Sequence, residues 1–431
     1  MGAVCCRGED IDYDREDVHL SHFNLLRAIG KGSFGKVRIV QHKGTKQIYA
    51  LKYINKNKCI KMHAVQNILS ERKLLEHIEH PHIVNLRYAF QDEENMFMVL
   101  DVMLGGDLRF HLDRLGCFRE NQVRFIVAEL ALAIHYLHTH HIIHRDIKPD
   151  NILLDDKGHA HLSDFNIAFR CKEGSIMYSV AGSMAYMAPE LLMKRGYNTA
   201  IDWWSLGATA YELLFGKRPF RGNSNDAISK AIAYEELKYP DNAHDILSPE
   251  CIDVIARLMC KDPRNRLGVG QDGFSQLITH AWFRDTDWKQ VEQKTLDPPF
   301  CPDNKKANFD VVHELEELLL EDSPLKSRRR KKPTDTNISS HHRSFSQQWT
   351  ADQCRDLIHM EAKFLDYDFT KHSVTQSDLR LGTEPSGVNE VSGNMGNARG
   401  HALNAVTDQA KSDGLTVETT KDIHLESLKF Y

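Results

Sequence analysis

The sequence predicts an α+β fold in two lobes: a small antiparallel-sheet lobe carrying one key helix, then a larger helical lobe. Three observations predict it. From about Phe23 to Leu100 short runs alternate in polarity, as in "VRIVQHKGTKQIYALKYI" (37–54), which turns back at Lys43-Gly44. Within that region "AVQNILSERKLLEHIEH" (64–80) instead sets Val65, Ile68, Leu74, Leu75 and Ile78 at helical spacing. From about Gly105 to Phe283 helical spacing takes over, with apolar segments at 121–140 and 200–216, the second closed by Gly216.

At 431 residues the chain is long enough for two or three domains. Its composition, 41% hydrophobic and 27% charged, excludes a wholly disordered protein. A net charge of −5 gives no general attraction to nucleic acid, and no nucleic-acid partner is expected. The nine cysteines are scattered singly apart from Cys5-Cys6, without a CxxC pair for zinc or a disulfide framework. A reduced, cytoplasmic chain is the simplest account. No apolar run approaches the roughly 18 residues of a membrane span, and no signal peptide opens the chain.

The composition divides the chain into a segment 1–22, a folded unit 23–283 (small lobe 23–100, large lobe 104–283), a polar tail 284–370 and a stretch 371–431 expected to be disordered. Lys326 and Arg328 to Lys332 make a basic run in the tail, read as part of a flexible linker. The amphipathic segment "WTADQCRDLIHMEAKFLDYDF" (349–369) follows it.

Chemistry is carried by side chains far apart in sequence. The stretch Ile29, Gly30, Lys31, Gly32, Ser33, Phe34, Gly35, Lys36, Val37 has three glycines that let backbone approach a nucleotide's phosphates. Alone, it is also a common kind of turn. Lys52 lies in a strand, where burial is costly unless the charge is paired, and Glu71 on the helix 19 residues later is a suitable partner. In "IIHRDIKPDNILLDDKGHAHLSDFN" (142–166), Asp146 and Asn151 stand five residues apart, and Asp164 follows across a hairpin turning at Lys157-Gly158. Phosphoryl transfer to a hydroxyl needs a carboxylate to orient it and accept its proton, and hard oxygen ligands for Mg²⁺. Asp146 suits the first role, Asn151 and Asp164 the second, and Lys148 can neutralise the transferring group.

Glycine loop, Lys52, Glu71, His144-Arg145-Asp146, Asn151, Asp164-Phe165 and Ala188-Pro189-Glu190 occur in the order of a eukaryotic protein kinase, which the chain resembles over about 23–283. Lys148-Pro149 resembles the serine/threonine branch. The resemblance implies the bilobal protein-kinase fold and transfer of the γ-phosphate of ATP, with Mg²⁺ or Mn²⁺, to Ser/Thr hydroxyls of proteins. It also implies a gatekeeper at Leu100, hinge backbone at Asp101 and Met103, and Val37 and Ala50 over the adenine. Asp107 falls at the nucleotide site, Asp202 supports the catalytic loop, and Arg266 pairs with Glu190. A pseudokinase scaffold and a small-molecule kinase are the rival classes. A full catalytic set opposes the first, and a long activation loop opposes the second.

One residue departs from the pattern: Asn166 stands where glycine is expected after Asp164-Phe165. Asn tolerates positive φ well, so it should keep Asp164 aimed at the metal, costing about 1 kcal/mol if its φ is positive.

"PFCP" (299–302) and "NFD" (308–310) resemble the tail of the AGC group, with Phe309 near the adenine pocket. Together with "DFN", "FQDEENMFMV" and "GGDLRFHL" they resemble the YANK (serine/threonine kinase 32) subgroup. In that group a motif such as "FLDYDF" (364–369) would dock Phe364 and Tyr367 on the helix of Glu71, with Asp368 standing in for a phosphate. A free amphipathic helix is the alternative.

Ser179 resembles an activation-loop phosphosite facing Arg145, Ser183 a structural hydroxyl bonding Asp146 and Lys148, and Ser346, three residues after Arg343, an autophosphorylation site. Asp107, Asp150 and Glu212 match acids that read arginines before the target hydroxyl, implying substrates with basic residues there. Gly2 satisfies N-myristoylation although Cys6 replaces the usual Ser or Thr; Cys5 and Cys6 offer palmitoylation. With the basic run these would attach the protein to a membrane surface, against an unmodified terminus and a plain linker or nuclear signal.

Overall fold

The computed structural model describes residues 17–31, 35–172, 174–303, 308, 325 and 349–371. Gly2, Cys5, Cys6, Gly32, Ser33, Phe34, Phe309 and Ser346, the basic run, and the stretch from residue 372 expected to be disordered lie outside them.

Five strands build the small lobe: β1 (Phe23–Lys31), β2 (Gly35–His42), β3 (Ile48–Asn55), β4 (Leu86–Gln91) and β5 (Asn95–Leu100). They pair antiparallel in the order β1-β2-β3-β5-β4, and Tyr367–Asp368 adds a sixth strand beside β4. Strand alternation assigns the two faces. Tyr49, Leu51 and Tyr53 join Val40, Phe97, Val99, Tyr88 and Phe90 in an outer core. Ile54 of β3 joins Met96, Met98 and Ala89 in the main core, together with Ile68 and Leu69.

Two helices interrupt the sheet. Helix α1 (Lys56–Lys61), not expected from the sequence, starts where the Asn55 side chain accepts from the Lys58 N–H. Helix α2 (Val65–Leu75) is shorter than the run 64–80 suggested. Pro81 disfavours helix at His80, and the His80 N–H turns to Asn85 Oδ1 at 3.0 Å. Ile78 is still buried, from a loop rather than a helix.

The large lobe follows its expected pattern. It contains α3 (Leu108–Leu115), α4 (Glu120–Thr139) and the buried helix Ala200–Phe215. Gly216 ends that helix at φ 66°, where a Cβ would sit 2.1 Å from the Gly116 carbonyl oxygen, so the stop requires glycine. The hairpin of Ile152–Leu154 and Ala160–Leu162 turns at Gly158, with Asp155 Oδ1 accepting from the N–H groups of Lys157, Gly158 and His159. Asn151 precedes this hairpin and Asp164 follows it, which is how the twelve intervening residues bring the two together. Among the described residues no helix is long and apolar enough to cross a membrane.

Candidate active site

Register places the nucleotide-side residues. Val37 lies opposite Lys52, and Ala50 opposite both Ile39 and Leu100, so Val37, Ala50, Lys52 and Leu100 share one face. Ile29 and Gly30 lie on β1, with Gly30 opposite Val37 and Lys31 opposite Lys36. Gly35 has an additional, structural reason to be glycine: a Cβ there would come within 2.3 Å of the Tyr53 carbonyl oxygen. At the hinge Asp101 spends its carboxylate on Arg87, at 2.6 and 3.0 Å, and on Asn85. The Met103 backbone N–H and C=O have no hydrogen-bond partner among the described residues.

Lys52 Nζ lies 2.7 Å from Glu71 Oε1 and 3.8 Å from Asp164 Oδ1. Burial opposes its charge, but Glu71 and Asp164 outweigh burial and hold the ammonium above its ordinary pKa. The expected pairing across 19 residues is therefore present, and α2 is what positions it.

Asp146 is nearly buried and fully engaged. Its Oδ1 accepts from the Ser183 N–H at 2.8 Å, and its Oδ2 from Asn151 Nδ2 at 2.8 Å and Lys148 Nζ at 2.9 Å. Lys148 Nζ also donates to Ser183 Oγ at 2.8 Å. Burial pushes the carboxyl up, yet Lys148 and Ser183 prevail, so Asp146 sits below the usual carboxylate range and is ionised at neutral pH. Asn151 spends its Nδ2 on Asp146, and its Oδ1 makes no hydrogen bond with a described residue.

The loop holding Asp146 is strained and buttressed. Arg145 has φ 70°, and buried Asp202 accepts from its N–H and from the His144 N–H, both at 2.9 Å, and meets His138 Nε2 at 2.9 Å. Asp164 has φ 61°, an outlier that costs about 1 kcal/mol or more and marks a constrained position. Asn166 has no positive φ: the left-handed residue of this turn is Asp164 itself. Asn166 and Ile167 form the middle of a turn closed by the Ala168 N–H to the Phe165 carbonyl at 3.1 Å. The cost anticipated for Asn166 is therefore absent. Its side chain makes no hydrogen bond with a described residue, so Asn166→Gly should keep peptide phosphorylation within about threefold. A large gain in a steady-state assay would instead mark Asn166 as inhibitory.

The remaining expected residues fall as follows. Arg266 pairs with Glu190 at 2.7 and 3.0 Å, fully buried over Trp204. Arg145 Nη1 lies 3.1 Å from Ser179 Oγ and 3.2 Å from the Tyr197 hydroxyl, a partner the sequence reading missed. Asp107 caps α3 through the Phe110 N–H; burial first, then nearby Asp150, raises its pKa. Glu212 differs from expectation. It is 3% exposed and already holds Arg109 Nη2 at 3.1 Å and the Tyr186 hydroxyl at 2.5 Å, so it is no open reader of substrate arginine.

The tail crosses both lobes. Phe300 packs against His111 and Phe118, and Asn308 Nδ2 reaches the Leu104 carbonyl beside the hinge. Helix Ala351–Lys363 then meets α1 and α2, with Lys56 3.6 Å from Glu361. Phe364 is completely buried beneath Arg72, whose Nε donates to the Leu365 carbonyl at 3.0 Å; Gln91 Nε2 donates to the Phe364 carbonyl at 2.6 Å. Of the two alternatives the segment takes docking. One detail is added and one corrected. Tyr367 pairs with β4, opposite Ala89, and its buried side chain joins the core that also holds Ile68, Leu69 and Leu75 of α2. Asp368 does not act as a phosphate substitute toward α2; it accepts from the Thr370 N–H and hydroxyl and lies 3.7 Å from Lys371.

A two-lobed fold with a lysine–glutamate pair, a buttressed Asp146 and oxygen donors at Asn151 and Asp164 defines a protein kinase catalytic domain. The protein kinase domain family matches residues 23–283. Serine/threonine-protein kinase 32B of Homo sapiens is 46% identical over 329 residues, 74% of this chain and 77% of that protein. Serine/threonine-protein kinase 32C of Homo sapiens is 41% identical over 382 residues, 86% and 77% of the two chains. RAC-beta serine/threonine-protein kinase B of Xenopus laevis is 37% identical over 292 residues, 67% and 59%. The chain belongs to the protein kinase family, as an ATP-dependent serine/threonine kinase similar to the kinase 32 proteins of the AGC group.

Proposed function

We propose that Asp146 orients the substrate hydroxyl and accepts its proton while Lys148 steadies the transferring phosphoryl group and Lys52, held by Glu71, grips the nucleotide phosphates. The supporting observation is the joint hold of Lys148, Ser183 and Asn151 on one depressed Asp146 carboxylate. Val37, Ala50 and the hinge at Asp101 and Met103 receive the adenine, and Ile29 to Lys36 cover the phosphates. Among the described residues no three His, Cys, Asp or Glu gather as a metal cage. Asn151 and Asp164 are hard oxygen donors suited to sharing Mg²⁺ (or Mn²⁺) with phosphate oxygens, as a six-coordinate ion with few protein ligands requires. When bound, the metal would supply charge neutralisation at the phosphates.

The docked tail supports a second part of this reading: it fixes α2 and thereby the Lys52–Glu71 pair. Protein substrates with basic residues before the target Ser or Thr are read by Asp107 and Asp150, whose mutual repulsion a substrate cation would relieve. Phosphate on Ser179 would meet Arg145 and order the loop. Ser179→Ala is expected to lower activity by about tenfold, one charge-assisted contact's worth; full activity would remove this regulation. Ser346 is a candidate autophosphorylation site. Lipidation at Gly2, Cys5 and Cys6 would place the kinase on the cytoplasmic face of a membrane, which mass spectrometry of the mature N-terminus tests. Incubation with Mg²⁺-ATP and a degenerate peptide library tests the catalytic reading: labelled Ser/Thr peptides support it, and nucleotide binding without transfer overturns it.

A further inference from the structure

The surroundings of Glu212 carry an inference about substrate choice that rests on the peptide-kinase reading above. Arg109 Nη2 lies 3.1 Å from both Glu212 oxygens and 2.8 Å from the Tyr186 hydroxyl, and its Nε is 3.5 Å from Asp150. The kinase thus supplies its own guanidinium where a substrate arginine would otherwise bind. An incoming arginine would have to expel Arg109 from a buried carboxylate. Arg218, 3.6 Å from Glu212 and stacked over Tyr186, adds a second internal cation.

Beside this pair lies a cavity of about 300 Å³ whose lining includes Ala185, Glu212, Lys217, Arg218 and Arg221. Lys217 and Arg221 are exposed and make no ion pair with a described residue. With Glu212 neutralised by Arg109, the wall is left with an excess of positive charge. Ala185 follows Ser183 by two residues, and the Ser183 N–H touches the Asp146 carboxylate at 2.8 Å. At 3.3–3.6 Å per extended residue, the cavity is reached by a substrate side chain about two to five residues from the hydroxyl.

We infer that this subsite selects an anionic side chain, a carboxylate or a phosphorylated residue, about two to five residues from the target Ser or Thr. Arginine-rich walls recognise such groups through charge-assisted, often bidentate contacts. Recognition is then composite: a cation at Asp107 and Asp150, an anion at the cavity.

The full-length protein with Mg²⁺-ATP would be assayed on peptides carrying Arg, Ala, Asp, Glu or phosphoserine at each of those positions. At one of them kcat/KM for Asp, Glu or phosphoserine is expected to exceed that for Arg by about tenfold. Preference for phosphoserine alone identifies a primed substrate; equal preference for Asp and Glu identifies an acidic one. In the Lys217→Glu/Arg221→Glu protein the anion-to-arginine ratio at that position should fall to about one or invert. Arginine preferred at every position, or a ratio unchanged by the double substitution, overturns the inference while leaving the kinase reading intact. Failure to label any peptide overturns both.

Discussion

Asp164→Ala is expected to abolish phosphate transfer, lowering it by about a thousandfold or more, the scale of losing one preorganised charge-stabilising group. The fold should survive. Asp164 is partly exposed, and among the described residues its one ion pair is the long 3.8 Å approach of Lys52. Its carboxylate is therefore not a structural brace. What the protein does invest is backbone strain, φ 61°, next to a second strained residue at Arg145. Strain kept at a position with little packing value implies that the direction of the side chain is what matters. Single-turnover transfer from labelled ATP, run beside thermal unfolding, checks this. Transfer within about tenfold of the parent would remove Asp164 from the metal site; loss of folding would assign it a structural role instead.

Phe364→Ala is expected to release the tail. The ring is completely buried, and truncating such a residue costs about 3 to 5 kcal/mol. The contacts that remain include Gln91 to the Phe364 and Glu361 carbonyls, Arg72 to Leu365, buried Met360, the Phe369 ring under Arg87 and two paired residues on β4. They are expected to fall short of that loss, so the segment 349–371 should undock while the two lobes stay folded. Amide exchange in α2 and β4 should rise. Activity should fall by about tenfold, an ordinary size for coupling between a docked segment and a remote site. Arg72 is the physical link, since it neighbours Glu71 on α2 and carries the Phe364 ring at 5.6 Å. Unchanged stability, exchange and activity would show that the segment contributes nothing to the catalytic unit.

Much of this was legible because the chemistry demands particular atoms. Lys52 and Glu71 are readable as a pair because a buried ammonium needs a carboxylate, and the hairpin at Gly158 because a turn is needed to bring Asp164 back toward Asn151. The two-lobe division followed from a change of period, from two to 3.6. What escaped the sequence was set by tertiary contact. The end of α2 depends on His80 turning to Asn85, and α1 on a single Asn55 cap. The position of the strained residue, Asp164 rather than Asn166, follows from a backbone turn that side-chain preference does not encode. Arg109 was missed for a different reason. An arginine on an amphipathic helix reads as a solvated charge until Glu212, 103 residues away, is seen to hold it.

The strand Tyr367–Asp368, followed by the Phe369 N–H on the Arg87 carbonyl, lies along half of the six-residue β4. That row of amide and carbonyl groups would otherwise be an open sheet border, the kind of surface on which a foreign chain can lay a further strand. The docked tail covers that part of the border with the protein's own chain, and its release is expected to favour self-association there.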